Sequence, residues 1–215
     1  MTHAEPSYIP AAGRHGLLPL YDLLAMLLGA GPARRMLVEH AAPRPGERVL
    51  DIGAGTGSLT IALQRRQPAA EVVALDPDPR ALAIARRKAE RHSLSIRFDR
   101  GFADALPYPD ASFGRVASSF MFHHLSRPDK ERMLREVRRV LRPGGRFHLL
   151  DFDGPVTADA GIIAHRIHAS QVLRDNGEEL VLALLRAAGF PDPLVVWRRA
   201  SRLAHMVCYE ASLPA

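Results

Sequence analysis

The chain has 215 residues and a mass of 23.6 kDa, which suits one domain with a core large enough to fold alone. Hydrophobic residues make up 47% and charged residues 24%, a balance too apolar for a disordered chain. The single cysteine, Cys208, excludes an internal disulfide, the sequence shows no zinc-type cluster of Cys and His spacings, and a reducing compartment is expected. The first residues lack the basic-then-apolar order of a signal peptide, and no apolar run approaches the ~20 residues that span a bilayer, so a cytoplasmic location without membrane insertion is expected. The formal net charge of +6 raises the question of nucleic acid. The arginine pairs (Arg34 and Arg35, Arg65 and Arg66, Arg86 and Arg87, Arg138 and Arg139) fall on helical patterns with no interleaved aromatic residues. That is the mark of a solvated helix face rather than a track for stacked bases.

In chain order, residues 1–16 read as a loose arm punctuated by Pro6, Pro10, Gly13 and Gly16. Leu17 to Ala42 reads as two short helices broken at Gly29 to Pro32, so that residues 1–42 form an arm and helical lid ahead of a domain over 43–215. Apolar strand patterns then alternate with helical ones, with strands expected near Arg48 to Ile52, Val72 to Asp76, Ile96 to Arg100, Arg115 to Ser119 and Arg146 to Asp151. This is an α/β order with a parallel sheet and helices on both faces. The stretch 128–141 places Met133, Leu134, Val137, Val140 and Leu141 on one helical stripe and stops at Pro143, Gly144 and Gly145. A lid-like insertion over about 153–178 precedes the helix GEELVLALLRAAGF, and the end of the chain reads as a two-stranded hairpin.

The most informative segment is VLDIGAGTGSLT, an apolar strand that runs through Gly53, Gly55 and Gly57 into a helix. Glycines at alternate positions let the backbone turn sharply and a ligand approach closely, while the helix start aims free N–H groups at it. A dinucleotide fingerprint needs glycine or alanine three places after Gly55, where Ser58 stands, and so NAD is disfavoured. Asp51, at the carboxyl end of the strand, can meet an ammonium or ordered water. Asp76 ends the next strand at the spacing of about 20 residues expected of an acidic residue that accepts hydrogen bonds from ribose hydroxyls.

With these motifs the chain resembles the class I S-adenosylmethionine-dependent methyltransferases, in particular the ubiquinone and menaquinone biosynthesis branch. The resemblance rests on LDIGAGTG, ALDPDP, ALPYPDASFGRV and VLRPGGRF in that order, over about Val49 to Asp151. It implies a Rossmann-like seven-stranded sheet, mostly parallel with an antiparallel last strand, and S-adenosylmethionine as cofactor. It further implies that Asp51, Gly53, Ala54, Gly55 and Gly57 line the methionine end, that Asp76 holds the ribose and that Pro77 sits beside the adenine. Where the family shows Gly-Asp-Ala, this chain has Gly101, Phe102 and Ala103. Either the Phe102 ring replaces a hydrogen bond to the adenine, with Ala103 beside it, or Asp104 reaches over. Ser119 matches a serine that borders the cofactor in the quinone enzymes.

Methyl transfer is an in-line displacement that needs a general base only when the acceptor must lose a proton. His123 and His124 follow the fourth strand, and one of them is the candidate for that base or for a substrate contact, the alternative being helix capping or packing. His165 and His168 share a helical face in the lid-like segment, and Tyr21, before Asp22, lies in an apolar helix that resembles the lid of the quinone-pathway enzymes. These three are the candidate acceptor contacts. The sequence SSFMFHHL lacks the signature of base-amino methyltransferases, and Cys208 is far from where a cytosine-attacking thiol belongs. The expected activity is transfer of a methyl group to carbon or oxygen of a small, apolar or aromatic molecule, with no nucleic acid partner, no metal and a homodimer allowed. The alternative is a catalytically silent protein that binds S-adenosylmethionine.

Overall fold

A computed structural model describes residues 30–154, 176–200 and 205–215. Seven strands, Arg48–Ile52 (β1), Glu71–Asp76 (β2), Arg97–Arg100 (β3), Phe113–Ser119 (β4), Leu141–Phe152 (β5), Leu194–Ala200 (β6) and His205–Ser212 (β7), form one sheet. Their order is β3-β2-β1-β4-β5-β7-β6, and only β7 runs against its neighbours. The chain leaves β1 toward β2 and β3 on one side and returns to β4 on the other, so the order reverses beside β1. A crevice opens at such a switch point outside the carboxyl ends of the strands.

Helices Ala30–Ala41 (α1), Ser58–Arg66 (α2), Pro79–Arg91 (α3), Arg127–Val140 (α4) and Glu178–Ala187 (α5) cover the sheet. Alternate residues of each strand serve opposite faces. Val49, Val72, Ala117, Leu150 and Cys208 pack under α1 and α2, whereas Leu50, Val73, Val116, Phe147 and Val207 pack under α4 and α5. Asp51 and Asp76 lie in the β1 and β2 registers that face the α1 and α2 side.

The interval Gly29 to Pro32, expected as a break between two helices, is where α1 starts, with Ala30 as its first residue and Pro32 in its first turn, and the helix expected ahead of it lies outside the described residues. A first-turn residue has no intrahelical use for an N–H, so proline is accommodated there. Pro143, Gly144 and Gly145 likewise do more than end α4: they lie within the span of β5 as an irregularity between the pairs Phe113 with Leu141 and Arg115 with Arg146. At the amino edge of the sheet, buried Arg115 donates to Ala41 O at 3.0 Å and to Glu47 Oε1 at 3.1 Å, and Arg142 reaches the same oxygen at 2.6 Å. These bonds fasten the end of α1 to β4.

Gly57 sits at φ 79°, and a Cβ there would lie 2.8 Å from the Ala85 Cβ of α3. Gly57→Ala is therefore expected to lower stability by about 2 kcal/mol, because it combines a left-handed backbone with an overpacked contact. For a chain of this size that is a fall of roughly 4–8 °C in Tm. An unchanged Tm by calorimetry would contradict the close contact between α2 and α3.

Candidate active site

Immediately after β1 the chain hooks back onto the end of β2, with Gly53 N and Ala54 N donating to Leu75 O at 2.9 and 3.1 Å. Gly53, Gly55 and Gly57 all take positive φ, but for different reasons. A Cβ on Gly53 would meet the Met121 side chain at 2.4 Å and one on Gly57 would meet Ala85, whereas one on Gly55 meets nothing within 4 Å. Gly55 is thus the glycine that faces open space, and the other two admit protein neighbours rather than a ligand.

Asp76 is buried at 9% exposure, and its carboxylate ties the loop together. Oδ2 accepts from Gly55 N and Oδ1 from Asp78 N, both at 2.8 Å. A carboxylate can accept about four hydrogen bonds, so each oxygen keeps capacity for a ligand hydroxyl. Burial raises its pKa against these two donors. Asp51 is also buried, and Thr60 of α2 donates to its Oδ2 at 2.5 Å. Its Oδ1 has no hydrogen-bond partner among the described residues. Burial pushes the carboxyl up to about 7, with the Thr60 hydroxyl and the Arg34 guanidinium pulling down and Asp76 adding to the rise. Such a group favours a cationic ligand, which would supply the missing partner.

On the other side of β1, Ser118 Oγ donates to Ile52 O at 2.9 Å and holds the ends of β1 and β4 together, and the next residue, Ser119, is half-buried at the carboxyl end of β4. Pro77 and Phe102 are half-buried at the ends of β2 and β3, and Phe102 forms an isolated bridge with Ala105. Ala103 packs on the core beneath, and Asp104 turns outward to Arg132 at 3.2 Å.

The sequence does not disclose the partner of the histidines. His123 and His124 occupy the 3-10 turn Phe122–His124 that follows β4. Asp151, fully buried in β5, accepts from His123 N at 3.0 Å and meets His123 Nδ1 at 2.6 Å. Burial opposes its ionisation, but the imidazole and the backbone donors at His123 and Phe152 outweigh that and hold the carboxyl below its ordinary value. His124 stacks on His123 with ring centroids 4.0 Å apart, and its buried Nε2 lacks a partner among the described residues. Burial, with His123 beside it, pushes His124 down to about 4. Only one of the two histidines is therefore held by a carboxylate. Tyr21, His165 and His168 lie outside the described residues.

The sheet order and the glycine loop define a Rossmann-like α/β fold, and comparison with known proteins gives its class. A family model described as a methyltransferase domain matches residues 49–145. The demethylmenaquinone methyltransferase of Thermus thermophilus is 42% identical over 160 residues, covering 73% of this chain and 71% of the relative. That of Deinococcus radiodurans is 38% identical over 195 residues, covering 89% and 79%. Among solved structures, the YcgJ protein of Bacillus subtilis superposes with TM-score 0.71 at 21% identity, over 86% of this chain and 99% of that one. The chain belongs to the class I S-adenosylmethionine-dependent methyltransferases, in the ubiquinone and menaquinone biosynthesis branch. Its cofactor is S-adenosylmethionine.

Because Asp76 supplies the acceptors for two loop N–H groups, Asp76→Ala is expected to destabilise the ligand-free protein by about 1–3 kcal/mol, the usual cost of stranding donors. A urea-unfolding midpoint equal to that of the wild type would show that the loop does not depend on the carboxylate.

Proposed function

We propose that this methyltransferase delivers the methyl group to a ring carbon of a quinol of the demethylmenaquinone class, with His123 as general base and Asp151 as the residue that orients it. The observation that carries this reading is the buried contact of 2.6 Å between His123 Nδ1 and Asp151 Oδ1, at the carboxyl edge beside the glycine loop. The relatives named as demethylmenaquinone methyltransferases supply the acceptor class. The same reading keeps the enzyme in the cytoplasm with a small-molecule acceptor and no nucleic acid. No described helix is long and apolar enough to cross a membrane.

The residues present fit the cofactor. Asp51 Oδ1 lacks a partner and suits the amino group, the open side of Gly55 and the adjoining Ala54 backbone suit the methionine chain, and Asp76 retains acceptor capacity for the ribose. Gly53 and Gly57 shape that loop. Pro77, Phe102 and Ala103 frame the adenine, with Ser119 at the border. Asp104, drawn toward Arg132, supports the Phe102 ring as the adenine contact.

Bound S-adenosylmethionine supplies a methyl group on a sulfonium sulfur, which keeps the bonding electron pair when the methyl leaves. The quinol ring carbon becomes a competent nucleophile once the neighbouring phenol gives up its proton. With Nδ1–H donated to Asp151, His123 presents the Nε2 lone pair for that proton. The anionic Asp151 then stabilises the imidazolium. After the carbon–carbon bond forms, the same ring carbon loses its hydrogen as a proton and aromaticity returns, and the phenolate left on the ring takes a proton back from the His123 imidazolium, so one proton is released overall. Phe152 packs edge-on against the His123 ring with centroids 5.2 Å apart, which limits the orientations the imidazole can take.

His123→Gln and Asp151→Asn are expected to lower kcat by about 100-fold or more on a demethylnaphthohydroquinone, while His124→Gln changes it by less than about 5-fold. S-adenosylhomocysteine affinity should be retained in His123→Gln. A larger loss in His124→Gln than in His123→Gln, or a product methylated only on oxygen, would overturn the proposal.

The raised carboxyl of Asp51 also makes binding depend on pH. A cation held against it lowers its pKa, so binding releases a proton and tightens as pH rises through about 7. Affinity for S-adenosylhomocysteine should fall about 10-fold from pH 8 to pH 6, and Asp51→Asn should remove that slope. In the ligand-free protein the sign is opposite. The folded carboxyl sits above its unfolded value of 3.8, so its contribution to stability is present below that pH and is lost as pH rises through about 7. Calorimetric titrations across this range that show no slope in the wild type would contradict the role given to Asp51.

A further inference from the structure

Arg34 belongs to one of the arginine pairs expected on a solvated helix face, yet it differs from its exposed neighbour Arg35. It is half-buried on α1, its Nε is buried with no hydrogen-bond partner among the described residues, and its guanidinium lies 5.5 Å from the Phe120 ring centroid. Phe120 takes φ 55° directly after β4, a conformation that costs a residue with a side chain free energy and persists only where packing enforces it. Here the enforcement is visible. Phe120 N donates to Leu150 O at 2.9 Å, and the ring is buried against Phe152 at 5.1 Å between centroids. The ring thereby forms a fixed floor beneath the guanidinium.

On the same face of the sheet stands Asp51 Oδ1, also without a partner among the described residues. The two groups have opposite charge, and Arg34 is near enough to pull the Asp51 carboxyl down. Even so, no ion pair joins them among the described residues, and each keeps unfilled hydrogen-bonding capacity. An α-amino acid zwitterion placed between them would satisfy both, with its ammonium on Asp51 and its carboxylate on Arg34. A guanidinium stacked on an aromatic face keeps its N–H edge free for bidentate contact with a carboxylate.

We infer that Arg34 is the carboxylate clamp for the amino-acid end of the cofactor, and that with Asp51 it makes the site selective for a zwitterionic adenosyl thioether. This rests on the cofactor placement proposed above. Arg34 supplies affinity and alignment and takes no part in proton transfer.

The test uses calorimetry on the full chain with S-adenosylhomocysteine and with its decarboxylated analogue, the adenosyl thioether that carries a 3-aminopropyl chain. The wild type should bind S-adenosylhomocysteine about 30-fold more tightly than the analogue, the size expected for a charge-assisted pair. Arg34→Met should lose about that factor for S-adenosylhomocysteine and hold the analogue within about 3-fold, whereas Arg34→Lys should keep part of the preference. Circular dichroism and urea unfolding report whether Arg34→Met folds. If it does not, the wild-type preference and its partial loss in Arg34→Lys decide the matter. Equal weakening of both ligands, or of neither, would overturn the clamp while leaving the cofactor site in place. A wild type that binds neither ligand would overturn the cofactor placement and the clamp with it.

Discussion

A carboxylate taken out of water must find a cation or a set of hydrogen-bond donors, and this requirement organises the carboxyl edge of the sheet. The buried aspartates within β1, β2 and β5 each meet it differently. Asp76 is served by two backbone N–H groups, which makes it the knot that holds the glycine loop against the β2–α3 turn. Asp151 is served by His123 and two backbone donors, and so remains anionic. Asp51 is only half served, by Thr60. The first arrangement builds the cradle, the second orients a base, and the third leaves one oxygen for a ligand's positive charge.

The opposite edge of the sheet shows the contrast. Glu47 there accepts from Arg115, Arg142 and the Arg44 backbone, and Gly114 leaves room for the glutamate because a Cβ would lie 2.2 Å from its Oε1. That cluster pairs both Glu47 oxygens with protein donors, two of them guanidinium groups of opposite charge. Charge is therefore closed where the fold only needs fastening and left open where the strands present their carboxyl ends. The parallel β1, β2, β4 and β5 with a reversal of order at β1 bring the open groups to one crevice, although they come from distant parts of the chain.

Much of this was legible in the sequence because its signals are local. The strands fall where β-branched and leucine runs lie, and the glycine loop and Asp76 stand at a spacing that one βαβ unit imposes. The features that were not legible depend on contacts across the chain. Arg34 looked like one of several surface charges, since nothing near it in sequence reveals that Phe120 supplies its floor. Asp151 looked like the end of a strand, because the parallel neighbour that brings it to His123 is visible only once β4 and β5 are paired. The three glycines looked equivalent, yet Gly53 and Gly57 answer to Met121 and Ala85 and only Gly55 faces open space. Pro32 lies in the free first turn of α1, and Pro143 stands just past the end of α4, where an irregularity in β5 accommodates it.

The division of labour among the aspartates is tested most directly by a crystal structure of the complex with S-adenosylhomocysteine. The account predicts the ribose hydroxyls on Asp76, the adenine against Phe102 and the amino group about 3 Å from Asp51 Oδ1. A nucleoside end bound away from Asp76, or an amino group turned from Asp51 with its Oδ1 still unpartnered, would contradict it.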